Sequence, residues 1–455
     1  MIGTEANVLT LTRRELLAVS GIAGVVPTLV GPPMTRRLEV TPATALQDAQ
    51  LRIHLTGLKP AKRAEIIARM TTRDGTAWLS HAIFAADASG ELDVTTSPAI
   101  EGSYLGISPM GLIWSMERDS KQLSEGQRLR VREPVTITFS VMLADGAALQ
   151  AEVLRCLAAN GVTSKALDDG PRHLRGGWWL PAGVGPHPAM IVLGGSGGGA
   201  DHARAALYAS HGFAVLALAY FGAPGLPQSL VNIPLEYIGA AIDYALATIR
   251  PPDDFLAVEG ISRGGELALL VGATFRRVRA VIGVMASGLV MGALGDDPNP
   301  AWTFGGKPVP DLFQGNPCVD WSQSNPAVSL VPGYLAAMRD PASVERATIP
   351  VERINGPVLL VSGKDDRLAP RFALAEIARQ RLVSHNHPWP FAHLSYDNAG
   401  HTIAPPYIPA TEGSFVHPVT KETLALGGTT EGRARANDDW WPKALAFLRE
   451  AAGGR

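Results

Sequence analysis

The chain has 455 residues, longer than the roughly 250 to 300 at which one hydrophobic core stops growing, so two domains are expected. Its 46% hydrophobic and 18% charged residues exclude a disordered or fibrous chain, and 48 glycines and 35 prolines predict many turns. A formal net charge of −2, without a long basic run, excludes an electrostatic footprint for nucleic acid.

In chain order, residues 1–45 come first. "LTRRELLAVSGIAGVVPTLVGPP" sets the pair Arg13 and Arg14 before an uncharged, moderately apolar run. This resembles a twin-arginine export signal, although Leu16 stands where Phe is common and Ala18 where Lys is common. The run is short for the about 20 apolar residues of a spanning helix, and Gly and Pro interrupt it, so no stable membrane anchor is expected. "ATA" at 43–45 is a small-x-small site for a signal peptidase, which would start the mature chain near Leu46. The expectation is a periplasmic or secreted protein; the alternative is a cytoplasmic one whose first residues form an amphipathic helix.

From 46 to 160 short apolar runs alternate with polar positions: "LRIHLTGL", "AEIIARMTT", "AWLSHAIFAAD", "VTITFSVML" and "ALQAEVLRCLA". Period-2 alternation broken by "RDG", "SGE" and "ADG" predicts an antiparallel β-sandwich. The polar stretch "NGVTSKALDDGPRH" follows, and the pattern then changes over 161–455. "AMIVLGG" and "FAVLALAY" are continuous apolar runs of strands buried on both faces. The helical patterns "ARAALYASHG" and "LEYIGAAIDYALATI" alternate with them. Further strands are expected at "DFLAVEG", "VRAVIGVMA", "GPVLLVSG" and "AHLSYDNAG", and a closing helix at "WWPKALAFLREAA". Strand and helix in alternation predict a doubly wound, mostly parallel sheet. Residues 287–348, rich in Gly, Pro, Trp and Asn, are expected to be loops, either over the site or away from it. Cys156 and Cys318 form no CxxC pair and the 11 histidines show no metal-ligand spacing, so no metal is expected. A bridge between the two cysteines stays open.

The chemistry is carried by Gly260-Ile261-Ser262-Arg263-Gly264, a G-x-S-x-G between a predicted strand and a predicted helix. Ser262 reads as a nucleophile at a sharp turn or as the N-cap of the helix, and the strand on one side with the helix on the other favours the nucleophile. A serine needs a general base, itself oriented by a carboxylate, in the order Ser, Asp, His. "VLLVSGKDDRLAP" places Asp365 and Asp366 after an apolar strand, and "YDNAGHTIAPPY" places His401 in the next loop. Asp366 is preferred for its offset after Gly363; Asp365 is expected to brace the loop. The oxyanion donors expected are the backbone N–H of Arg263 and those of Gly195 and Ser196 in "LGGSGGGADH". Those glycines complete neither a dinucleotide nor a P-loop fingerprint, and no cofactor is expected.

These strings support a named resemblance. "GISRGGELAL", "GHTIAPPYIP", "IPVERINGPVLLVSGKDD", "GGGADHARAALYASHGFAVLALAY" and "GELDVTTSPAIEGSYLGISPMGLIWSM" resemble segments of the acyl-CoA thioesterase and bile acid-CoA:amino acid N-acyltransferase family, and over about residue 45 to the carboxyl end they follow the family's order along the chain. The resemblance implies a β-sandwich on an α/β-hydrolase domain, a small-molecule acyl thioester as substrate, and Ser262, Asp366 and His401 as the triad. It implies hydrolysis over transfer, because the transferases of the family carry Cys where this chain has Ser262. Ala369 and Arg371 stand where the family commonly has Trp and Ser, which implies a different wall to the acyl site. An exported enzyme would meet little acyl-CoA, so a carboxylester or amide substrate stays as the alternative, as does acyl transfer to an amine. The oligomeric state is left open.

Overall fold

The computed structural model describes residues 35–119, 133–143, 145–169, 173–295, 297–314 and 327–453. The Arg13–Arg14 pair, the apolar run behind it and Cys318 lie outside these residues.

The first part of the chain is built from β1 (Arg37–Thr41), β2 (Thr44–Leu46), β3 (Arg52–Thr56), β4 (Arg63–Thr71), β5 (Ala77–Ala85), β6 (Leu92–Asp93), β7 (Glu101–Gly102), the one-turn helix α1 (Gly111–Trp114), β8 (Glu117–Arg118), β9 (Val135–Met142) and β10 (Ala148–Cys156). One sheet has the order β1-β3-β6, the other β2-β10-β9-β4-β5-β7 with β8 on β5. In β4 the side chains of Ala64, Ile66, Ala68 and Met70 are buried while Arg63, Glu65 and Arg69 face solvent. A sheet apolar on one face must cover that face, and here Leu38, Val40, Ile53 and Leu55 share a core with Phe84, Ile137 and Phe139. The expected sandwich is present, with one correction. β1 and β2 occupy residues assigned above to the signal segment, and Leu38, Val40 and Ala45 are core residues. A cut after Ala45 would remove β1 from its pairing with β3. The sequence concealed this because a five-residue strand beside two arginines offers too short an alternation to read.

The second part runs β11 (Thr163–Asp169), β12 (Leu174–Leu180), β13 (Ala189–Leu193), α2 (His202–Ser210), β14 (Ala214–Ala219), β15 (Ile233–Pro234), α3 (Leu235–Ile249), β16 (Leu256–Ile261), α4 (Arg263–Thr274) and β17 (Ala280–Val284). It continues through β18 (Trp302–Phe304), β19 (Lys307–Pro308), α5 (Val331–Ala337), α6 (Pro341–Ala347), β20 (Val358–Gly363), α7 (Arg371–Ser384), β21 (Phe391–Tyr396), β22 (Ser414–Val416), β23 (Thr423–Ala425) and α8 (Thr430–Gly453). The main sheet has the order β11-β12-β14-β13-β16-β17-β20-β21. From β14 onward the strands are parallel; β11, β12 and β14 pair antiparallel. Every residue of β13, β14, β17 and β20 is buried, because helices cover both faces. On one face α3, α4 and α7 pack on Ile191, Leu193 and Val258; on the other α2 and α8 pack on Met190, Val192 and Ala257. This is the α/β-hydrolase arrangement, preceded by an antiparallel sandwich.

Two differences from expectation have physical reasons. The polar stretch after the sandwich is the edge strand β11, whose residues 163–166 are exposed and show no apolar pattern. The closing helix begins at Thr430, ten residues before "WWPKALAFLREAA", because its first turns bury polar groups, Arg433 and Asn437, that hydrogen-bond loop backbone.

The sandwich is fastened to the hydrolase domain through Asp48. Its Oδ2 accepts from the Trp441 indole N–H at 2.7 Å and lies 2.5 Å from His211 Nε2. Burial pushes the Asp48 carboxyl up, but the bonds and charge of His211, with the Trp441 bond, hold it below the usual carboxylate range. A carboxyl lowered by folding adds stability above its unfolded pKa of about 3.9, and loses it as pH falls through the lower folded value. Asp48→Ala is expected to lower the urea midpoint of unfolding at pH 7 by the equivalent of about 1–3 kcal/mol, the cost of leaving the Trp441 and His211 N–H groups without their buried acceptor. The gap to wild type should narrow once the pH drops below about 4; a gap constant down to pH 2 would rule out this titration as its source.

Candidate active site

β16 ends at Ile261 and α4 begins at Arg263, so Ser262 alone makes the turn. It does so at φ 58°, ψ −116°, a conformation that costs an L residue about 1–3 kcal/mol and persists only when its surroundings enforce it. The flanking glycines make room. A methyl at Gly260 would run into the carbonyl of Gly264, and one at Gly264 into the carbonyls of Gly194 and Leu193. Ser262 stands at the N-cap position of α4, yet its side chain makes no capping bond. Its Oγ lies 3.1 Å from His401 Nε2 instead. The backbone N–H of Ser262 donates to Val284 O at 2.8 Å, which ties the turn to β17.

Asp366 sits in the loop after β20, at 6% exposure, and its Oδ2 lies 2.7 Å from His401 Nδ1. A carboxylate only accepts, so Nδ1 carries the proton and Nε2 is left to accept from the serine hydroxyl. Asp366 Oδ1 accepts from the N–H of Leu368 at 2.7 Å and of Ala369 at 3.2 Å, which fixes its rotamer. Asp365 turns the other way: its Oδ2 accepts from Gly428 N–H and its Oδ1 meets Arg367. His401, 3% exposed, is held through its own N–H, which donates to Leu426 O at 2.7 Å. Behind that loop Arg433 of α8 donates to the carbonyls of Ala410, Gly427 and Gly428. This brace was not foreseen, because a buried arginine that donates to backbone carbonyls leaves no pattern in the side chains around it.

Ser262 opens into a cavity of about 70 Å³ walled by Leu294, Phe313, Leu330, Leu368 and Leu424, with Ser196, Arg263, Arg371 and His417. The 287–348 segment therefore does face the site, through Gly292–Gly295, Phe313, Leu330 and Tyr334. Of the expected oxyanion donors, Arg263 is the first residue of α4, where backbone N–H groups lack a helical acceptor. Gly195 is pressed against the elbow: a methyl there would sit 3.4 Å from Ser262 Cβ. Ser196 lines the cavity, and its Oγ meets His417 Nε2 at 2.9 Å. His417 Nδ1 accepts from the N–H groups of Thr420 and Val419, so in the neutral ring the proton is on Nε2 and points at Ser196. His417, on the β22–β23 hairpin, was not foreseen, since β22 and β23 are three residues each, too short for a readable alternation.

Buried charges underlie the elbow. Glu259 of β16, fully buried, pairs with Arg204 at 3.2 Å. Burial lifts the Glu259 carboxyl to about 7 against the pull of Arg204. Glu266 of α4 accepts from Trp302 Nε1 at 2.8 Å and Met291 N–H at 3.1 Å, and lies 3.3 Å from Arg263 Nε. Among the described residues no cluster of His, Cys, Asp or Glu could hold a metal ion, and no helix is long and apolar enough to cross a membrane.

Comparison with known proteins agrees with this architecture. Residues 48–169 match the acyl-CoA thioester hydrolase/BAAT N-terminal region, and residues 233–454 the BAAT/acyl-CoA thioester hydrolase C-terminal domain. Acyl-coenzyme A thioesterase 6 of Homo sapiens is 31% identical over 420 residues, 90% of this chain and 94% of that protein. The peroxisomal succinyl-coenzyme A thioesterase of Mus musculus is 30% identical over 430 residues, 92% and 98% of the two chains. Acyl-coenzyme A amino acid N-acyltransferase 1 of Mus musculus is 29% identical over 432 residues, again 92% and 98%. With a serine-hydrolase fold and this similarity over nine-tenths of its length, the chain is an enzyme of the acyl-CoA thioester hydrolase/BAAT family.

Proposed function

We propose that this enzyme is a serine thioesterase that hydrolyses a fatty acyl-CoA or related acyl thioester to free acid and thiol, with Ser262 as nucleophile, His401 as general base and Asp366 as the group that orients it. The observation that carries the reading is the chain of contacts from Asp366 Oδ2 through His401 to Ser262 Oγ, with the serine at a strained elbow.

As Ser262 Oγ attacks the thioester carbonyl, its proton passes to His401 Nε2, and Asp366 stabilises the imidazolium. The carbonyl electrons move onto oxygen, where the N–H of Arg263 and those of Gly195 and Ser196 are the proposed donors. Collapse expels the thiol, which takes the proton from His401. Water then gives a proton to His401 as it attacks the acyl-serine carbonyl; on collapse the bond from the acyl carbon to Ser262 Oγ breaks, His401 returns that proton to Oγ, and the acid leaves. Serine rather than cysteine at the nucleophile favours water over an amine as acyl acceptor. Ser262→Ala is expected to lower kcat by about 10⁶-fold and Asp366→Asn by about 10⁴-fold, measured as thiol release across short to long acyl-CoA substrates. If the wild type releases no thiol from any of them, this reading falls. Acyl-glycine or acyl-taurine among the products, with either amine present, would favour the transfer reading.

For location we propose export through Arg13 and Arg14, on the strength of the sequence pattern alone, which would turn the same machinery on an extracytoplasmic ester, thioester or amide. Changing Arg13→Lys together with Arg14→Lys is expected to retain in the cytoplasm a protein that otherwise accumulates outside it. Equal distribution of the two forms would end the export reading.

A further inference from the structure

Ser196 and His417 line the cavity into which Ser262 opens, and the triad uses neither side chain. The geometry assigns their protons. Backbone amides only donate, so the two that reach His417 Nδ1, from Val419 at 3.3 Å and Thr420 at 3.1 Å, make that nitrogen an acceptor. The ring proton is therefore on Nε2, 2.9 Å from Ser196 Oγ. An N–H cannot accept, so Ser196 Oγ is the acceptor of that bond and its own proton is directed elsewhere. Among the described residues Ser196 Oγ has no second hydrogen-bond partner. Thr420 Oγ1, another hydroxyl on the cavity wall, makes no hydrogen bond and so does not take that proton. The guanidiniums of Arg263 and Arg371 on the same wall have no lone pair to offer.

The segment that carries Ser196 is held from both ends. Leu193 O accepts from Arg204 Nη2 at 3.2 Å, Gly194 O accepts from the Tyr220 hydroxyl at 2.7 Å, and Gly199 N–H donates to Phe221 O at 2.9 Å. Gly195 packs on the elbow itself, where a methyl would sit 3.4 Å from Ser262 Cβ. Ser196 is the next residue, and His417, only 3% exposed, fixes the position of its oxygen. A hydroxyl held in this way beside a nucleophile, with its acceptor side filled and its proton uncommitted, is a preorganised donor.

We infer that the Ser196 hydroxyl, oriented by His417, donates to the substrate oxygen as that oxygen takes up charge, beside the backbone N–H groups proposed above. When Ser262 Oγ bonds to the carbonyl carbon, the π pair moves onto oxygen. Ser196 hydrogen-bonds that oxygen and keeps its proton, and the pair returns on collapse. Ser196 is then a catalytic residue, and His417 a positioning residue that acts through it.

The inference rests on Ser262 as nucleophile, and its test keeps the two apart. Two quantities are measured on the wild type, Ser196→Ala, Ser196→Thr, His417→Phe and the Ser196→Ala/His417→Phe pair. One is kcat and KM for the acyl-CoA substrate turned over fastest; the other is the second-order rate at which a fluorophosphonate modifies Ser262. In that modification Oγ bonds to phosphorus, fluoride leaves, the serine proton passes to His401, and charge gathers on the phosphoryl oxygen, so the donor is read without a thioester. Its end point counts competent sites, so kcat is taken per site and loss of folded enzyme cancels. Ser196→Ala should lower kcat by about 100- to 1000-fold with KM nearly unchanged, and slow the modification by about 10-fold or more. Ser196→Thr keeps the hydroxyl and should recover most of both. His417→Phe should cost about 5- to 10-fold in kcat, and nothing further once Ser196 is alanine. A raised KM at constant kcat in Ser196→Ala, equal losses in Ser196→Ala and Ser196→Thr, or a His417→Phe loss undiminished in the pair overturns the inference. If Ser262 is modified but no thioester is turned over, the thioesterase reading fails alone. Equal modification rates in the wild type and Ser196→Ala then overturn the donor role. No adduct at Ser262 in folded wild type overturns both.

Discussion

One residue held at positive φ governs the layout of the catalytic end of this enzyme. Ser262 reaches His401 because a strand stops and a helix starts on either side of it, and such a turn survives only when both are pinned. β16 is pinned by parallel neighbours on each side, β13 and β17. α4 is pinned by Leu267, Leu269 and Val271 in the core and by glycines that let it approach the sheet closely. The strain is thus supported by the most deeply buried part of the fold, which keeps the hydroxyl in place without help from substrate.

Around that elbow the protein buries more charge than a core normally tolerates, and nearly every charge has an assigned partner. Arg204 meets Glu259, Arg263 meets Glu266, and Arg433 spends its donors on three backbone carbonyls. Such pairs gain little net stability over apolar replacements, but breaking one is severe, so they act as rigid fixings. Arg371, which lines the cavity beside Ser262, keeps Nε and Nη1 without a hydrogen-bond partner, as Arg155 does in the sandwich.

The sandwich contributes to the site without touching the triad. Trp114 O accepts from Ala410 N–H at 2.8 Å, Met116 O accepts from Thr411 Oγ1 at 2.7 Å, and Arg118 pairs with Glu412. These contacts hold the chain between His401 and the β22–β23 hairpin, and the hairpin carries His417 to Ser196. A structural domain thereby sets the position of a wall of the cavity, with the Asp48 contact to His211 and Trp441 fastening its far end.

Much of this was legible in the residues themselves. Period-2 runs such as β4 and wholly apolar runs such as β14 carry their own environment, because a strand's burial pattern is written in successive side chains. The elbow was legible for a related reason: glycine, serine and glycine at fixed spacing answer a backbone demand made within five residues. Asp366 and His401 followed from the order of loops after apolar strands, and Asp366 over Asp365 from its offset. What escaped were β1, β11, the first turns of α8 and His417, all of which lie at edges or are stabilised by polar contacts to distant backbone. Their state depends on partners outside the local sequence window, at the extreme in His417, whose partner Ser196 is 221 residues away. The amino-acid sequence by itself determined the sandwich-then-hydrolase layout, the main sheet and the three residues, Ser262, Asp366 and His401, that the fold brings into one hydrogen-bonded chain. Only the tertiary structure decided that Arg204 meets Glu259 and that Arg371 lines the cavity beside Ser262, because whether a buried charge is paired depends on what the whole fold brings within about 3 Å of it.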